Sequence, residues 1–384
     1  MQIEHLTADH HQEWNAFIAK EPSFALLQSW EWGEFKSRMD WKVFRIAVRE
    51  NGHILAGAQL LIKSLPMGLG SIAYIPRGPI GSWLDDQFTP LLFSEVHKIS
   101  RYHRAIFLKI EPPLLMDGAL NSKLNRYCFF ASQQPNQPQA TLILDLTQDM
   151  DSILKSMRKK TWQYIKNSVR AGVTVKRGDE KDIASLYDLL RITGKREHFP
   201  VPARNYLEEE WHTFAKHQQY VLLMAFYQNQ LLAVRTVHRS GVHAAEFHAG
   251  STGNCHHLHP NHLLVWEAIK WAIEQGCQTY DLWGIPDEIS QLKVEKDSAI
   301  PDRHDDLWGV YQFKRGFTKN VVCYVGAYDY VYNQPMYGLI SKTFFSQKMR
   351  EQVLHRVDSL KHGKSRSKGI SESPESQNHC QENQ

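Results

Sequence analysis

The stretch VFRIAVRENGHILAGAQLLIK, residues 43–63, has the pattern of a β-hairpin. Two runs of aliphatic and β-branched residues flank the dipeptide Asn51-Gly52. Asn-Gly favours the two-residue turns that join antiparallel strands, because both residues tolerate positive φ angles. The stretch therefore predicts a strand, a tight turn and a second strand.

A second hairpin with the same pattern lies at residues 220–239, YVLLMAFYQNQLLAVRTVHR, with its turn at residues 228–230. Aligning Ala47 with Ala225 places the asparagines of the two turns together, and one gap then keeps the second strands in step. The two hairpins predict an internal repeat.

Each hairpin is followed by segments that predict a further strand, a helix and a buried strand. In the first copy they are SIAYIPRGPIG, a helix over about residues 90–104 and AIFLKIEP, and in the second copy they are HAAEFHAGST, NHLLVWEAIKWAIEQG and CQTYDLWGI. The second helix has apolar residues at helical spacing, and Gly276 suits its C-terminal end. The shared order predicts a mixed α/β fold made of two copies of one unit.

The chain of 384 residues is long enough for two domains, each with its own core. We predict a first domain over residues 1–145 plus about 318–345 and a second over residues 146–317. Residues 132–139, SQQPNQPQ, are the best linker candidate between them. Residues 361–384 are polar and lack periodic apolar positions, which predicts a disordered tail.

Composition limits the partners and the location. The net charge of +4 provides no broad basic field for duplex DNA, so we expect no DNA partner. The five cysteines are scattered, which favours reduced thiols, and the first residues lack the features of a signal peptide. No apolar run approaches the roughly 20 residues of a membrane span. We expect a cytoplasmic protein that reaches any membrane-linked substrate at the surface.

Standard catalytic and metal signatures are missing from the sequence. GxSxG, HExxH, a Walker A loop and GxGxxG do not occur. The histidines of CHHLHPNH, residues 255–262, have no carboxylate among them, so we interpret them as a polar loop before a helix capped by Asn261. We predict no metal.

A basic helix is predicted between the two copies, starting at Asp149 or Asp151 and ending at Gly172. One face is apolar. The other carries Lys155, Arg158, Lys159, Lys160, Lys166 and Arg170. Such a face suits a nucleic-acid backbone, but it is equally typical of a solvated amphipathic helix.

The stretch GVYQFKRGF, residues 309–317, places a basic pair among aromatic residues. We expect a strand that directs Lys314 into a cleft, with Arg315 on the opposite face towards solvent, and Gly316 permitting a turn.

The repeated unit has the general pattern of acyl-CoA N-acyltransferases (GNAT-like domains). Those enzymes hold the pyrophosphate of CoA with a Gly-rich turn, headed by Arg or Gln, that opens a helix. The corresponding stretch here, GSTGNCHHLHPNH, has Gly250 and Gly253 but not that motif. We therefore expect a GNAT-like fold that does not use CoA, and we predict no cofactor.

Five motifs in order resemble the FemABX family of peptidoglycan-bridge aminoacyltransferases over about residues 24–340. They are LLQSWEWGEFKSRMDW (26–41), IPRGPI (75–80), the basic helix ending AGV (171–173), YDLWGI (280–285) and GVYQFKRGF (309–317). The resemblance implies two tandem GNAT-like domains, with the acceptor in the first and the donor on the second. It also implies aminoacyl-tRNA as donor and the stem-peptide amine of a peptidoglycan precursor as acceptor. No long helical-hairpin insertion is evident, so the chain is similar to the compact FemX-type members.

The resemblance assigns roles to individual residues. Lys36 takes the place of a lysine that holds the acceptor phosphates, although it could equally be a solvated helix lysine. Glu111, in KIEPP, takes the place of a catalytic or positioning carboxylate, although it could be a loop or capping carboxylate. Phe313 and Lys314 match a Phe-Lys pair near the reacting ester, where Lys314 would stabilise the oxyanion or contact tRNA phosphates, although it could equally be an exposed strand lysine before a glycine turn.

Further substrate contacts are expected at Arg77 of IPRGPI, at Tyr206, and on tRNA at Lys159, Lys160, Lys166 and Arg170. The family pattern F-x-x-R-x-x-x-Y is broken, because Pro202 stands where its arginine would be, and Arg196 or Arg204 could substitute. This departure leaves open whether the muramyl-peptide acceptor is UDP-linked or lipid-linked.

Two other functions stay open at this point. The same fold could transfer an acyl group from acyl-CoA to a polysaccharide or lipid amine of the cell envelope. Alternatively, the chain could bind tRNA or the precursor without catalysis. We expect a monomer in each case.

Overall fold

Both predicted hairpins form, and each lies in a β-sheet, separated from the edge by one strand. The computed structural model describes residues 1–116, 118–132, 134–290 and 306–343. The first half contains β1 (Gln2–His5), α1 (His11–Ile18), α2 (Trp30–Arg38), β2 (Lys42–Glu50), β3 (His53–Ser64), β4 (Ser71–Ile75), β5 (Ile80–Gly81), α3 (Phe88–Tyr102), β6 (Ala105–Ile110), α4 (Gly118–Arg126) and β7 (Phe130–Ala131).

The second half opens with one strand and two helices and then repeats the order from β1 to β6, without a counterpart of β5 among its described residues. It contains β8 (Ala140–Asp145), α5 (Met150–Ser156), α6 (Lys159–Arg170), β9 (Thr174–Arg177), α7 (Ile183–Glu197), α8 (Arg204–Phe214), β10 (Tyr220–Tyr227), β11 (Gln230–Ser240), β12 (His243–Ser251), α9 (Pro260–Glu274) and β13 (Thr279–Ile285). The last described elements are α10 (Asp306–Lys314), β14 (Val321–Cys323), β15 (Tyr328–Val331) and α11 (Gln334–Thr343).

The two sheets have matching topologies. The first has the order β1-β2-β3-β4-β6-β15-β7, with β5 on β3, and the second has the order β14-β8-β13-β12-β11-β10-β9. The strand after the covering helix pairs in parallel with the third strand in both sheets, as β6 with β4 and β13 with β12. The other neighbouring pairs are antiparallel. The prediction of two copies of one mixed α/β unit is confirmed.

The alignment of the two hairpins needs one correction. Val48 pairs with Ala56 and Ala225 pairs with Ala233, and both ladders shift register at the next pair towards the turn. The hairpins therefore correspond without a gap, and Ala225 matches Val48 rather than Ala47. The gap was an artefact of aligning the two asparagines, which occupy different positions of their turns.

The last strands connect the halves. The linker candidate does join the sheets, because β7 lies in the first sheet and β8 in the second. β14 pairs with β8 in the second sheet, whereas β15 pairs with β6 in the first. The chain thus returns to the first sheet at Tyr328, later than the predicted position near residue 318. The predicted tail, residues 361–384, lies outside the described residues.

The three largest apolar clusters among the described residues account for most of the packing. One lies between the first sheet and α3, and another lies between the second sheet, α6 and α9. A third joins the halves: Trp32, Phe35 and Tyr74 from the first pack with Leu207 and Phe214 from the second. This shared cluster holds the two sheets together and places the ends of several strands side by side.

Two helices differ from their predictions. The basic helix is two helices, because Met157 is extended and the Arg158 amide bonds the carbonyl of Gly316 instead of continuing the first helix. Asp149 caps α5, as predicted. The histidine loop leads into α9, but the capping position is His259, in the left-handed region, not Asn261.

Within the described ranges, no helix combines the length and apolarity needed to cross a membrane.

Candidate active site

The two halves meet at Lys36, on α2, and Tyr206, on α8. The Lys36 ammonium donates a hydrogen bond of 3.1 Å to the Tyr206 hydroxyl. Its nitrogen lies 4.7 Å from the ring centres of Trp32 and Tyr206 and 4.8 Å from that of Phe35. Burial lowers the pKa of Lys36 to about 8. Lys36 is therefore a lysine in an aromatic cage between the halves, not a solvated helix lysine.

A fully buried carboxylate, Glu210, lies one turn after Tyr206 on α8. Its Oε2 atom is 2.9 Å from Nε2 of His248, and Oε1 is 3.7 Å from Nε2 of His238. Burial raises the pKa of Glu210, but the two histidines outweigh burial and hold it below its usual value. Glu210 in turn raises the pKa of Lys36 and partly offsets the effect of burial there.

Aromatic rings connect the Lys36 cage to the second sheet. Trp32 is 6.1 Å from Phe247 of β12, and Phe247 is 4.8 Å from Trp283 of β13, measured between ring centres. Phe24 contacts both Phe247 and Trp283 edge to face. The row forms an apolar wall between the lysine cage and the end of β13.

Trp283 interrupts the β8–β13 ladder. Its φ of +62° lies in the left-handed region, and the register shifts between Asp281 and Gly284. Beside this irregularity, the carbonyls of Trp283 and Gly284 accept hydrogen bonds from Lys314 Nζ, at 3.2 Å and 2.8 Å respectively. Bulges of this kind recur beside active sites, where they redirect main-chain groups.

Lys314 is buried, with 9% of its surface exposed. Burial lowers its pKa to about 8, while Glu246 opposes that shift. An ammonium has three N–H donors, and the two carbonyls use two of them. Among the described residues the third donor has no partner, so it can donate to an oxygen of a bound molecule.

The predicted strand around Lys314 is wrong, because residues 306–314 form helix α10. Lys314 is the last residue of the helix, and Arg315 is buried, at 8% exposed, rather than directed to solvent. Gly316 packs against the start of α6, where an added Cβ would lie 2.3 Å from Oγ1 of Thr161. The glycine is thus required by close packing between α10 and α6.

Phe313 points away from Lys314, towards α9. Its ring is 4.9 Å from that of His262 and 5.4 Å from that of Phe317. The guanidinium of Arg235 is 6.0 Å from the Phe313 ring and is paired with buried Glu246. Phe313 therefore supports the helix end that carries Lys314.

Arg77 lies between the two sheets. It is buried, donates to the Pro138 carbonyl at 3.0 Å, and covers the Tyr324 ring at 4.4 Å. Its charge lowers the pKa of Asp281 and of Glu111, although burial dominates and raises both. Arg77 thus connects the linker to carboxylates on both sides.

Glu111 follows β6 directly and is 3% exposed. One carboxylate oxygen accepts from the Tyr74 hydroxyl, and the other accepts from the amides of Asn136, at 2.5 Å, and Gln137, at 3.1 Å. Glu111 therefore fastens the linker over the first sheet.

The two candidate substitutes for the missing arginine are engaged elsewhere. Arg196 donates to the Ser251 carbonyl at 3.3 Å and pairs with Glu197 at 2.7 Å. Arg204 is exposed and pairs with Glu208 at 2.8 Å. Of the residues predicted in this region, Tyr206 is the one that the structure brings to Lys36.

The basic residues of α6 line its outer side. Lys159, Lys160 and Arg170 are exposed, and Lys166 is partly buried over the Trp162 ring. Tyr164, on the same helix, stacks on His259 at 3.8 Å. The described residues contain no group of three metal-binding side chains.

Seven residues of the site were not predicted from the sequence. They are Tyr74, Glu210, His238, His248, Arg235, Glu246 and Asp281. Asp281 lies within the motif YDLWGI, and Glu210 lies on the apolar side of α8 with Leu207 and Phe214. The sequence pattern could therefore have identified these two residues. The others depend on contacts between distant strands.

Comparison with known proteins gives matches in both halves. Residues 10–126 match the FemAB family, and residues 155–293 match an acetyltransferase (GNAT) domain. The lipid II:glycine glycyltransferases of Staphylococcus aureus strains USA300 and MW2 are 24% identical to this chain, with 89% of this chain and 96% of each relative covered.

Solved structures show the same architecture. The crystal structure of FemX superposes with a TM-score of 0.76 at 22% identity, covering 89% of this chain and all of that chain. A tandem GNAT protein from the clavulanic acid biosynthesis pathway superposes with a TM-score of 0.54 at 11% identity, covering 85% and 97%. The FemAB match in the first half, the GNAT match in the second half and the end-to-end similarity to these relatives support the FemABX family as the one that this chain resembles.

Proposed function

We propose that this chain is an aminoacyltransferase that moves an amino acid from aminoacyl-tRNA to the stem-peptide amine of a peptidoglycan precursor. The observation that carries the proposal is a pair of lysines, half-buried Lys36 in its aromatic cage and buried Lys314 at the end of α10. Lys36 and Lys314 lie at opposite ends of the Trp32–Phe247–Trp283 row, and each has a cation available for an anionic group. The glycyltransferases that the chain resembles act on lipid II, a peptidoglycan precursor.

Lys36 is assigned to the acceptor phosphates. A cation in an aromatic cage is partly desolvated, so a phosphate gains more from pairing with it than with a solvated lysine. The Tyr206 hydroxyl fixes the ammonium from the second half of the chain. Acceptor binding thereby depends on both halves being in place.

Lys314 is assigned to the reacting ester. The acceptor amine attacks the ester carbonyl carbon of the aminoacyl-tRNA, a C–N bond forms, and the carbonyl oxygen becomes an oxyanion. The third N–H of Lys314 donates to that oxygen. The C–O bond then breaks, and a substrate phosphate or carboxylate passes the proton that the amine loses to the departing ribose oxygen, so the terminal ribose of tRNA leaves as its hydroxyl.

The ester of aminoacyl-tRNA is already activated, so the reaction needs no enzyme nucleophile. Positioning of two large anionic substrates is the main requirement. We assign Glu111 and Arg77 to positioning, because they hold residues 136–138 of the linker against the first sheet. The basic outer side of α6 supports binding of the tRNA backbone.

Acyl-CoA is the less favoured donor because of the start of α9. The first residue is Pro260, which has no N–H, and the amides of His262 and Leu263 bond the His259 carbonyl. The rings of Tyr164 and His259 stack over this end. A pyrophosphate would need those amides.

Transfer of a labelled amino acid tests the proposal. Purified protein is incubated with charged tRNA and with muramyl-pentapeptide acceptors, UDP-linked or lipid-linked. We expect label in the acceptor, loss of transfer after ribonuclease treatment, and no transfer from acyl-CoA. Transfer from acyl-CoA, or acceptor binding without transfer from any donor, would support the two other functions instead.

We further propose that the protein acts in the cytoplasm as a monomer, with residues 1–145 on the acceptor side and residues 146–317 on the donor side.

A further inference from the structure

Two turns lie side by side at one end of the first sheet, where the strands β4 and β6 begin. β4 and β6 are parallel, and Ser71 pairs with Ala105, so both strands begin at this end. The Ser71 amide bonds the Arg104 carbonyl at 3.1 Å, and its hydroxyl bonds the His103 carbonyl at 2.8 Å. The β3–β4 turn and the α3–β6 turn therefore form one continuous surface.

Large apolar side chains on this surface are exposed to an unusual degree. Met67 is 90% exposed, Tyr102 is 82% exposed and Leu69 is 47% exposed. Met67 has a φ of +54° and is followed by Gly68 at +69°. Asparagine or glycine is usual in such a turn, and a methionine there is strained. The turn thus holds an apolar side chain outward at a cost to stability.

Cations surround the apolar residues. Arg101 and Arg104 line a recess together with Leu69 and Tyr332. Arg101, Arg104 and nearby Lys42 are exposed, and none of them forms an ion pair with another described residue. Exposed methionine, tyrosine and arginine side chains together suit the boundary between lipid head groups and acyl chains.

This end of the sheet adjoins the Lys36 cage. β3 runs through Lys63 directly into the turn that carries Met67. Lys63 donates to the Met39 carbonyl at 2.9 Å and lies 5.9 Å from the Trp41 ring, and the Trp41 amide bonds the Lys36 carbonyl at 3.1 Å. A diphosphate at Lys36 would therefore lie near the end of the sheet that carries the exposed apolar residues.

We propose that Met67, Leu69, Arg101, Tyr102 and Arg104 form a docking rim for the surface of an anionic lipid bilayer. The rim inserts its apolar side chains among the head groups while its arginines pair with lipid phosphates. It presents the Lys36 cage to a diphosphate at the level of the head groups. That last step rests on the proposed function; bilayer binding does not.

Vesicle flotation tests the rim with the full chain. The variants are Met67→Asn with Tyr102→Ser, and Arg101→Gln with Arg104→Asn; asparagine tolerates the left-handed positions of Met67 and Arg104. The control is Ile192→Asn with Lys181→Gln, which removes an exposed apolar residue and an exposed cation from the second half. Thermal melting verifies that each variant folds.

We expect binding to phosphatidylcholine vesicles that contain phosphatidylglycerol, with partitioning reduced at least about tenfold by either rim variant and unchanged by the control. Transfer to a lipid-linked acceptor in vesicles should fall in parallel, while transfer to a soluble UDP-linked acceptor should not.

If the rim variants float like the unmodified chain, or if the unmodified chain does not float, the proposal of a bilayer-docking rim is overturned. A dimer that the rim variants dissociate would also overturn it, because the surface would then join two copies. Vesicle binding through the rim without transfer to any acceptor would support the rim and contradict the proposed function.

Discussion

The ammonium of Lys36 donates to the Tyr206 hydroxyl across the boundary between the two halves of the chain, at 3.1 Å. The two residues are 170 positions apart and belong to helices that cover different sheets. Acceptor binding by Lys36 should therefore be sensitive to a residue of the second half.

Removal of that hydroxyl tests the dependence. In Tyr206→Phe the aromatic cage stays, but the ammonium loses the partner that fixes it. We expect the KM for the acceptor to rise about tenfold, with kcat nearly unchanged. Tyr227→Phe, which removes a hydroxyl near the β10–β11 turn, should change neither constant. A fall in kcat with an unchanged KM would contradict the role of Lys36 in acceptor binding.

The charge of Glu210 should set the pH range of acceptor binding. The pKa of Lys36 is about 8, and Glu210 raises it, so Glu210→Gln should lower it. Protonated Lys36 is the form that binds phosphate. Affinity for the acceptor should therefore be lost at a lower pH in Glu210→Gln than in the unmodified protein, while affinity near pH 6 stays similar. Glu209→Gln, on the adjacent surface position, is the matched control, and an equal shift in both variants would exclude the buried contact as its cause.

Lys314 should affect the chemical step. We expect Lys314→Ala to lower kcat by about 10²- to 10³-fold with little change in KM, as for other oxyanion donors. Because the pKa of Lys314 is about 8, kcat should fall as pH rises through that value and the ammonium loses its proton. Lys319→Ala, on the exposed segment after α10, should keep full activity. A kcat independent of pH between 6 and 9 would contradict a cationic role, and these limits bracket the lysine pKa by about one unit or more.

A side chain at residue 316 should destabilise the fold, and removing the group that it contacts should restore part of the stability. A Cβ at residue 316 would lie 2.3 Å from Oγ1 of Thr161. We expect Gly316→Ala to destabilise the fold by about 1–3 kcal/mol in denaturant unfolding. Adding Thr161→Ala should recover part of the loss. The control is Gly338→Ala, which should not destabilise the fold because nothing lies within 4 Å of the new Cβ. A double variant no more stable than Gly316→Ala would show that a contact other than that with Thr161 causes the loss of stability.

The basic side of α6 makes a prediction about salt. If Lys159, Lys160 and Arg170 contact tRNA phosphates, their combined replacement by alanine should weaken tRNA binding. The slope of the logarithm of the binding constant against the logarithm of salt concentration should then correspond to about two to three fewer released counterions. Lys181→Ala with Lys216→Ala removes exposed charge elsewhere in the second half and should leave the slope unchanged. An unchanged slope in the α6 variant would identify the face as merely solvated.

Local patterns predicted most of the fold. The hairpins, α9 and the order of the repeat follow from periodicity and turn residues, which act within a few positions of the chain. The strand prediction at residues 309–317 was wrong because it relied on the alternation of aromatic residues. The same stretch also has a helical spacing of buried residues, and the chain follows that spacing. Trp308, Tyr311 and Arg315 are buried at helical intervals, which is the pattern that α10 follows.

The site was less predictable because it depends on contacts between distant residues. The resemblance supplied Lys36, Lys314 and Tyr206, but not the hydrogen bond that joins the first and third of them. Nothing in the sequence indicated that the bulge at Trp283 would supply two carbonyls to Lys314. Glu210 was hidden among the acidic residues of LEEEW, although its spacing from Leu207 and Phe214 places it on the buried side of α8.

Mass spectrometry of the peptidoglycan tests the central claim most directly. Muropeptides are compared from cells that carry the unmodified protein, cells that lack it, and cells that carry Lys314→Ala. We predict a stem peptide heavier by one amino-acid residue in the first case, and the absence of that peptide in the other two. Identical muropeptides from all three would contradict the assignment of this chain to peptidoglycan aminoacyl transfer.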